Sequence, residues 1–472
     1  MVNQMALSVT IAAPQGRSGK TTVSLGLCAA LRRCGLVVQP FKKGPDYIDP
    51  SWLTATGRSC RNLDAVLMSE GTLLASFQHA CEGASFALIE GAMGLYDGFD
   101  SGGWGSTSHI AKLVGSPIIL VVNAARMTRS VAAMVSGYQH FEPDSNIRGV
   151  VLNNVASSQH KQKLVRAIEQ YCQIPVVGCI PRDPTLSITE RHLGLTPFRE
   201  IGKEESIDRI AHQFESYLDT DTVLAIASEA QTSHTPDIAP MEGKPVVGGV
   251  PSVLGRRARV GVMLDRAFTF YYPENLEALT QAGAELVLID SMHHQTLPDI
   301  DGLYIGGGFP EVFAEELEAN SRLRQDIRRA IEDDLPVYAE CAGLMYLCRA
   351  IQWHDRWYEM VGAIPAEVEM RPKIQGHGYT RVEVARQNPF FSVGQSFWGH
   401  EFHHSTISPS GTLNFAYRML RGRGIDGKAD GIVYKNVLAC YTHLHALGVP
   451  QWAEAFVALA AKKQHSLVTL PT

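Results

Sequence analysis

Residues 7–22, LSVTIAAPQGRSGKTT, join an apolar, β-branched run to a glycine-bearing loop and the start of a helical segment. A strand, such a loop and Gly-Lys-Thr at a helix start are the setting of a phosphate-binding loop, because backbone N–H groups and the helix N-terminus converge there on phosphate oxygens. The usual first glycine is replaced by Pro14, so Gly16 must supply the freedom of the loop. The alternative, a helix N-terminus that merely contains this sequence, is disfavoured by the preceding strand.

The loop predicts a nucleoside triphosphate site with a magnesium ion. Lys20 would neutralise charge on the β- and γ-phosphates, and the Thr21 hydroxyl would bind Mg²⁺. ATP and Mg²⁺ are therefore the expected cofactors. The predicted nucleotide-binding residues are Gly16, Ser18, Gly19, Lys20, Thr21, Thr22 and Asn153.

Short apolar runs alternate with helix-length segments or glycine-rich loops along most of the chain. This alternation favours an α/β fold with parallel sheets whose strands are buried. In the first half, strands are predicted at Leu7–Ala12, Leu36–Phe41, Phe86–Glu90, Pro117–Asn123, Gly149–Asn153 and Val176–Ile180. In the second half, they are predicted at Val260–Leu264, Glu285–Ile289, Gly302–Ile305 and Pro336–Ala339.

A stretch rich in Pro, Gly, Ser and Thr separates the two halves. Residues 229–256 show no hydrophobic period, which predicts a linker. The chain is therefore expected to hold a nucleotide-binding domain over residues 1–228, a linker over 229–257 and a second α/β domain over 258–472. A length of 472 residues suffices for two such domains.

Acidic residues follow the second and third predicted strands. The carboxyl ends of parallel strands meet at one edge of a sheet, beside the phosphate loop, where ligands of open α/β sheets bind. We expect Asp46 and Glu90 to bind Mg²⁺ together with Thr21. Tyr47, Asp49 and Asp97 are predicted to hold the acceptor substrate or a second metal ion, and the alternative for Asp49 and Asp97 is that they cap turns.

A second candidate site surrounds a cysteine. Residues 335–345, LPVYAECAGLM, predict a buried strand that ends at Cys341, followed by a helix whose N-terminus favours the thiolate. His443 is the expected general base, and His445 lies two residues further on. Backbone N–H groups of Gly307 and Gly308 are predicted to face a developing oxyanion. The alternative for Cys341 is a small core residue, the role expected of the other eight cysteines.

The segment GHEFHHS, residues 399–405, satisfies the HExxH pattern of zinc proteases. That pattern binds zinc only on a helix, where histidines four residues apart share one face. The flanking residues are β-prone and punctuated by glycine and proline, so zinc proteolysis is not expected.

Composition excludes several classes of partner. Lys and Arg number 42 against 48 Asp and Glu, a net charge of -6 without a basic tract, so nucleic acid is not expected to bind. The longest apolar runs fall far short of the roughly 20 residues that cross a bilayer, so no membrane segment is expected. Nine scattered cysteines without CxxC spacing are typical of a reducing, cytoplasmic compartment.

Motifs from residue 9 to about residue 447 strongly resemble the family of the cobyrinic acid a,c-diamide synthases and their hydrogenobyrinic acid counterparts. The segments that carry the resemblance are APQGRSGKTT (13–22), FKKGPDYIDP (41–50), ATGRSCRNLD (55–64), LIEGAMGLYDG (88–98), RHLGL (191–195), DRAFTFYYPENLEAL (265–279), GGGFPE (306–311), YAECAGLMYL (338–347), GHEFHHS (399–405) and YTHLHA (441–446). One departure concerns the acceptor region, because the family commonly has Phe-His where this chain has Trp52-Leu53.

The resemblance implies a dethiobiotin-synthetase-like nucleotide-binding domain followed by a class I glutamine amidotransferase domain of the cobalamin type. It implies that Cys341 is the nucleophile and that His443 activates it. Other class I amidotransferases have a glutamate two positions after the histidine, where this chain has His445, the candidate third member of the triad.

The implied substrates are ATP, glutamine and cobyrinic acid or a related tetrapyrrole acid. ATP would convert the a and c acetate carboxylates to acyl phosphates, and ammonia from glutamine would reach them along an enclosed path between the domains. Hydrogenobyrinic acid and nickel-sirohydrochlorin stay open as acceptors, and a homodimer is one expectation for the oligomeric state. A different class, a partitioning or metal-chaperone ATPase with an inactive amidotransferase domain, is disfavoured because Gln15 stands where such ATPases have a second lysine.

Overall fold

The computed structural model of the chain describes residues 6–183, 190–191, 194–201, 204–233 and 257–468. These residues divide into two compact units, Met1–Glu242 and Gly243–Thr472. Most of the predicted linker lies outside the described residues. Its first residues, 229–233, continue a helix, and the predicted domain boundaries stay a prediction.

The first unit contains a seven-stranded parallel sheet in the order β3-β2-β4-β1-β5-β6-β7. Its strands are β1 Leu7–Ala12, β2 Val38–Lys43, β3 Arg61–Leu63, β4 Phe86–Glu90, β5 Ile118–Asn123, β6 Ile147–Val155 and β7 Val176–Pro181; β8 Glu190–Arg191 and β9 Gly194–Leu195 form a separate short pair. The helices are α1 Lys20–Arg33, α2 Ile48–Thr54, α3 Glu70–Ala80, α4 Thr107–Leu113, α5 Ser130–Phe141, α6 Ser158–Cys172, α7 Phe198–Ile201, α8 Glu204–Glu215 and α9 Thr220–Ser233, with a 3₁₀ turn at Pro143–Ser145.

Both faces of this sheet are covered, as the uninterrupted apolar strands require. Alternate residues of β5 enter different cores: Ile119 and Val121 pack with side chains of α1, α8 and α9, whereas Leu120 and Val122 pack with α5 and α6. Serine side chains begin α3, α4 and α6 by accepting an N–H of the first turn. The predicted parallel α/β fold is therefore confirmed in this half.

The second unit contains a nine-stranded mixed sheet in the order β12-β10-β13-β15-β24-β23-β22-β19-β20 and a four-stranded sheet β17-β16-β18-β21. The strands are β10 Ala258–Met263, β11 Phe268–Phe270, β12 Ala284–Ile289, β13 Gly302–Ile305, β14 Gly307–Gly308, β15 Val337–Glu340, β16 Ala350–Trp353, β17 Arg356–Glu359, β18 Ala366–Met370, β19 Gly376–Val384, β20 Ser396–His403, β21 Ser405–Pro409, β22 Asn414–Arg421, β23 Ala429–Tyr434 and β24 Val437–Cys440. The helices are α10 Pro273–Gln281, α11 Ala314–Ala319, α12 Ser321–Glu332, α13 Ala342–Leu347 and α14 Gln451–Val468, with a 3₁₀ turn at Pro310–Phe313.

The five strands from β12 to β24 are parallel, as predicted for four of them. The antiparallel strands β19, β20, β22 and β23 were not predicted. In β22, for example, only Ala416 and Tyr417 are buried, so this strand lacks the continuous apolar run of a strand that is buried on both faces. The α/β class is confirmed, but four of the nine strands in the larger sheet of the second unit join it by antiparallel pairing.

The bounds of one strand and the burial of three cysteines differ from the predictions. The second strand extends to Lys43 and does not end at Phe41. Lys42 can be buried in the strand because its charge is balanced by the carboxylates of Asp49 and Glu90. Cys34 is exposed, and Cys81 and Cys179 are only half-buried, so these three are not core residues. No helix among the described residues is long and apolar enough to cross a membrane.

Trp52 and Leu53, which replace the Phe-His of the resembling family, are both buried in α2. Trp52 Nε1 donates a hydrogen bond to Thr196 O over 2.8 Å, and the Trp52 ring packs edge-on against Phe198 at 5.1 Å. The tryptophan therefore anchors the segment around residue 196 and presents no polar group to an acceptor.

Packing of α8 on α1 predicts a large effect of Phe214→Ala. The Phe214 ring is fully buried against Gly26, where an added Cβ would lie 2.2 Å from Phe214 Cδ1. Loss of the ring should cost about 3–5 kcal/mol in the free energy of unfolding of the first unit, measured by urea denaturation. Phe141→Ala, at a ring that is 70% exposed, is the matched control and should cost less than about 1 kcal/mol. Equal losses in the two variants would contradict this packing.

Candidate functional site

The phosphate loop lies between β1 and α1 and is braced by β6. Gly19, which precedes α1, has a φ of 94°, in the left-handed region that favours glycine. A Cβ on Gly19 would lie 2.2 Å from Asn153 Nδ2, which donates a hydrogen bond to Ser18 O over 2.9 Å. Ser18 Oγ in turn donates to Gln15 O over 3.0 Å. The Asn153 amide therefore holds the loop itself, and its predicted contact with the nucleotide stays a prediction.

Lys20 begins α1 and crosses to the loop that follows β4. Its Nζ donates to Met93 O over 2.7 Å. Burial, followed by repulsion from Lys42, lowers the pKa of Lys20 to about 8. The ammonium group is thus held in a place where an anion would stabilise its charged form.

Lys42, at the end of β2, is the centre of a buried charge cluster. Its Nζ lies 2.5 Å from Asp49 Oδ2, 2.8 Å from Glu90 Oε1 and 3.6 Å from Asp46 Oδ2. Burial opposes the charge, but Asp49 and Glu90 raise the pKa of Lys42 well above its ordinary value. No role was predicted for Lys42, because nothing local marks a lysine whose partners come from two other segments.

The three acids of this cluster respond differently to their surroundings. Burial raises the pKa of Glu90. Burial and the charge of Asp49 raise the pKa of Asp46 to about 7. For Asp49, burial acts in the same direction, but the contact with Lys42 outweighs it and lowers the pKa. One lysine therefore keeps Asp49 ionised while Asp46 titrates near neutrality.

Glu90 also faces the phosphate loop and offers a free oxygen there. Thr21 Oγ1 donates to Glu90 Oε1 over 2.7 Å, whereas Glu90 Oε2 is buried and has no hydrogen-bond partner in the described part of the chain. A hydroxyl beside an unsatisfied carboxylate oxygen fits Mg²⁺, which prefers oxygen ligands and keeps several from water and phosphate. No group of three or more His, Cys, Asp or Glu among the described residues is arranged to hold a metal alone.

The remaining acceptor candidates lie on two turns of the same edge. Asp46 Oδ1 accepts the N–H of Ile48 over 2.8 Å and so holds the turn that leads into α2, next to the half-buried Tyr47. Asp97 Oδ2 accepts the N–H of Gly94 over 2.8 Å, which agrees with the turn-capping alternative for Asp97. Asp49 does not cap a turn in this way, because its carboxylate binds Lys42. The metal and acceptor roles of these residues stay predictions.

Two buried polar side chains complete this edge. Asn62 Nδ2 donates to Gly44 O and to Asp46 O, each over 2.7 Å, and so fixes the loop after β2. Lys43 is only 8% exposed, and burial lowers its pKa. Burial therefore makes a charged Lys43 side chain less favourable than in water.

Cys341 lies at a sharp turn between β15 and α13. Its backbone has φ 47° and ψ −98°, a conformation that costs a non-glycine residue of order 1–3 kcal/mol. Cys341 N donates to Cys440 O over 2.7 Å, and Gly343 N donates to Gly306 O over 3.1 Å. A Cβ on Gly343 would lie 2.4 Å from Ile305 O, so the small residues after the cysteine let α13 approach β13. The predicted elbow is present.

His443 follows β24 and is buried beside Cys341. Its backbone pairs with His400 through two hydrogen bonds, and its Nδ1 lies 3.5 Å from Glu340 Oε2. Burial opposes a positive charge on the ring, but hydrogen bonds to Cys341 and Glu340 raise the pKa of His443 to about 10. The Cys341 thiol and the His443 ring are therefore close enough for proton transfer, as a nucleophilic cysteine and its activating histidine require.

His445, the candidate third member of the triad, lies against a different acid. Its Nε2 is 3.7 Å from Glu274 Oε2, and its ring packs against Tyr272 with centroids 4.5 Å apart. The carboxylate that approaches His443 belongs to Glu340, to which sequence reasoning gave no role. The only local signal was an acidic residue in a strand that is otherwise apolar, directly before the cysteine.

Gly307 and Gly308 form the short strand β14, which pairs with β11. A Cβ on Gly307 would lie 2.6 Å from His443 Cε1, and one on Gly308 would lie 2.0 Å from Ala267 O. Gly307 therefore lets the backbone approach the His443 ring, and Gly308 lets it approach the backbone of Ala267. Their service as oxyanion donors stays a prediction.

The first histidine of the HExxH pattern, His400, lies on β20, which ends at His403, and the second, His404, directly follows the strand. Residues four apart in extended backbone are separated by about 13 Å, too far for one zinc ion. The pattern therefore does not lie on a helix, which is the setting that zinc binding by HExxH needs.

Comparison with known proteins matches both units to families. Residues 9–195 match the CobQ/CobB/MinD/ParA nucleotide binding domain, and residues 259–450 match the CobB/CobQ-like glutamine amidotransferase domain. Curated relatives include the cobyrinate a,c-diamide synthases of Magnetococcus marinus, 46% identical over 94% of this chain and 95% of the relative, and of Methanosarcina acetivorans, 44% identical over 96% and 95%. The chain spans the relatives almost from end to end and joins a nucleotide-binding unit to a buried cysteine–histidine pair, so it belongs to the cobyrinate a,c-diamide synthase family of glutamine-dependent amide ligases.

Proposed function

We propose that this chain uses ATP and glutamine to convert the a and c acetate carboxylates of cobyrinic acid to amides. The observation that carries the proposal is the presence, in one chain, of the Cys341–His443 pair and of a phosphate loop facing the cluster around Lys42. One site can release nitrogen and the other can activate an acid. The names of the relatives supply the acceptor.

A carboxylate must be activated before ammonia can replace one of its oxygens. In the proposed first reaction, the carboxylate of the acceptor attacks the γ-phosphorus of ATP, which gives an acyl phosphate and ADP. Lys20 would stabilise the transferring phosphoryl group, and Lys42 would keep Asp49 ionised and oppose the effect of burial on Glu90. Thr21 and Glu90 would hold Mg²⁺, which when bound supplies charge neutralisation at the phosphates.

Nitrogen would come from glutamine at the second site. The Cys341 thiolate attacks the glutamine amide, and the His443 imidazolium gives its proton to the departing ammonia. Water then hydrolyses the glutamyl thioester and regenerates the thiol. Ammonia displaces phosphate from the acyl phosphate and forms the amide. The expected direct passage of ammonia to the acyl phosphate and the homodimer remain parts of the proposal.

The proposal is tested by the mass of the product after incubation with ATP, glutamine and each of three acceptors: cobyrinic acid, hydrogenobyrinic acid and nickel-sirohydrochlorin. We expect two successive acid-to-amide mass steps with cobyrinic acid. Preference for either other macrocycle would contradict the acceptor, and the absence of every amide product would contradict the function. ADP release without any acceptor, insensitive to glutamine, would indicate the ATPase alternative.

Cys341→Ala should separate the two nitrogen sources. Without the thiol, glutamine-dependent amidation should fall by about a thousandfold or more, whereas amidation with added ammonium salt should persist. Cys34→Ser, at an exposed cysteine outside the site, is the matched control and should behave like the wild type. Loss of both activities in Cys341→Ala, with a folded protein, would contradict the assignment.

Glu90→Gln should give the opposite pattern. The glutamine amide cannot replace the carboxylate oxygen that Glu90 would offer to Mg²⁺ beside Thr21. Amidation with either nitrogen source should therefore fall by about 10²-fold or more. Glutamine hydrolysis at Cys341 should persist. Amidation within twofold of wild type would exclude Glu90 from the metal site.

Nucleotide affinity should weaken with rising pH. Because the pKa of Lys20 is lowered to about 8, the ammonium form that binds phosphate is present below pH 8 and is lost above it. Calorimetric titration with ATP between pH 7 and pH 9.5 should show the loss. Lys20→Met should bind ATP more weakly at every pH and lack this dependence, and an unchanged profile in the variant would assign the titration to another group.

A further inference from the structure

We propose that Glu340 is the positioning residue that orients His443 and stabilises its protonated form during glutamine hydrolysis. The inference rests on the proposed glutaminase activity of the Cys341 site. It gives the place of the third triad member to the residue directly before the nucleophile, and not to the position two residues after the histidine.

The first support is the distance between two buried groups. Glu340 Oε2 lies 3.5 Å from His443 Nδ1, and the side chains are 1% and 2% exposed. A carboxylate at Nδ1 leaves Nε2 for the thiol, so it selects the ring orientation that proton transfer to and from Cys341 requires. The interaction is strengthened because little water reaches it.

The second support is the way in which the carboxylate is held. Glu340 Oε1 accepts the N–H of Leu444 over 3.0 Å, and Oε2 accepts the hydroxyl of Tyr304 over 3.1 Å. Asn275 Nδ2 contacts both ends of this arrangement, donating to Tyr304 Oη over 3.3 Å and to Leu444 O over 3.1 Å. The acid is therefore fixed from β13 and from the segment that carries His443.

The third support is the backbone of Cys341. Consecutive residues of a regular strand point to opposite faces of the sheet, so Glu340 and Cys341 could not both reach one histidine from a continued β15. The turn at φ 47° ends the strand between them. Both side chains then contact the His443 ring. The strained turn therefore exposes the thiol and also lets Glu340 reach the same histidine.

The rival residue, His445, faces its own partner. Its Nε2 is directed to Glu274 Oε2 at 3.7 Å, and its Nδ1 accepts the N–H of Leu447 over 3.3 Å. Both ring nitrogens are thus engaged away from His443. His445 and Glu274 therefore have a structural role. Because Glu274 is also a buried acid beside a histidine, Glu274→Gln is the comparison variant for Glu340→Gln.

The test measures glutaminase kinetics of the full chain together with the rate of iodoacetamide alkylation at Cys341. Glu340→Gln should lower the kcat for glutamine hydrolysis by about 10²–10⁴-fold, the range for a displaced acid–base histidine. It should lower alkylation at pH 7 by about tenfold, because the ring that contacts the thiol is no longer held in the orientation that activates it. Glu340→Asp should recover part of both, because the charge is kept.

The comparison variants separate positioning from stability. Glu274→Gln should lower kcat by less than about threefold and leave alkylation unchanged, whereas a larger loss than in Glu340→Gln would overturn the inference in favour of His445. Thermal denaturation shows whether Glu340→Gln is folded. If it is not, Tyr304→Phe takes its place, because it removes one hydrogen bond to the carboxylate and should lower kcat several-fold. Wild-type kinetics in Tyr304→Phe would then overturn the inference.

The outcomes also distinguish the two levels of the proposal. A wild-type chain that cannot hydrolyse glutamine overturns the proposed function itself. A wild-type chain that hydrolyses glutamine, with a folded Glu340→Gln that keeps kcat and alkylation within twofold, overturns only the role of Glu340. Ammonia-dependent amidation should be unchanged in every variant, because it does not use His443.

Discussion

The carboxyl ends of hydrogen-bonded parallel strands lie at one edge of their sheet, and both sites of this protein depend on that constraint. In the first unit, the phosphate loop, Lys42 and Glu90 follow or end β1, β2 and β4, which are neighbours in the order of the sheet. In the second unit, Gly307, Cys341 and His443 follow β13, β15 and β24, again neighbours. Residues far apart in the chain therefore meet without any need for long loops.

Burial then gives these edges their chemistry. A buried carboxylate or ammonium group is unfavourable unless it has a partner of opposite charge or a hydrogen-bond donor. Each charged side chain is therefore held in place by its contact with the neighbouring one. Lys42 connects Asp49 to Glu90, and Glu90 connects Lys42 to Thr21 of the phosphate loop. The second unit uses one acid in the same manner, since Glu340 connects Tyr304 to His443.

Glycines allow the close contacts that these connections need. Gly19 leaves room for the Asn153 amide, Gly343 lets α13 reach β13, and Gly307 leaves room for the His443 ring. In each case a Cβ would lie under 3 Å from its neighbour. The glycines of the motifs GRSGKT, ECAG and GGGF are therefore needed for close backbone contacts, in addition to the residues that carry the chemistry.

Local pattern alone determined the α/β class, the phosphate loop, the thiol elbow and most parallel strands, because strand, turn and helix N-terminus follow one another directly in the chain. It did not reveal the role of Lys42 or of Glu340, and it missed the antiparallel half of the second sheet. The roles of both residues depend on partners that lie 48 and 103 residues away, Glu90 for Lys42 and His443 for Glu340. Only the tertiary structure decided them, because a charge in a strand can be identified as part of a site only when the group that compensates it in the low-dielectric interior is known.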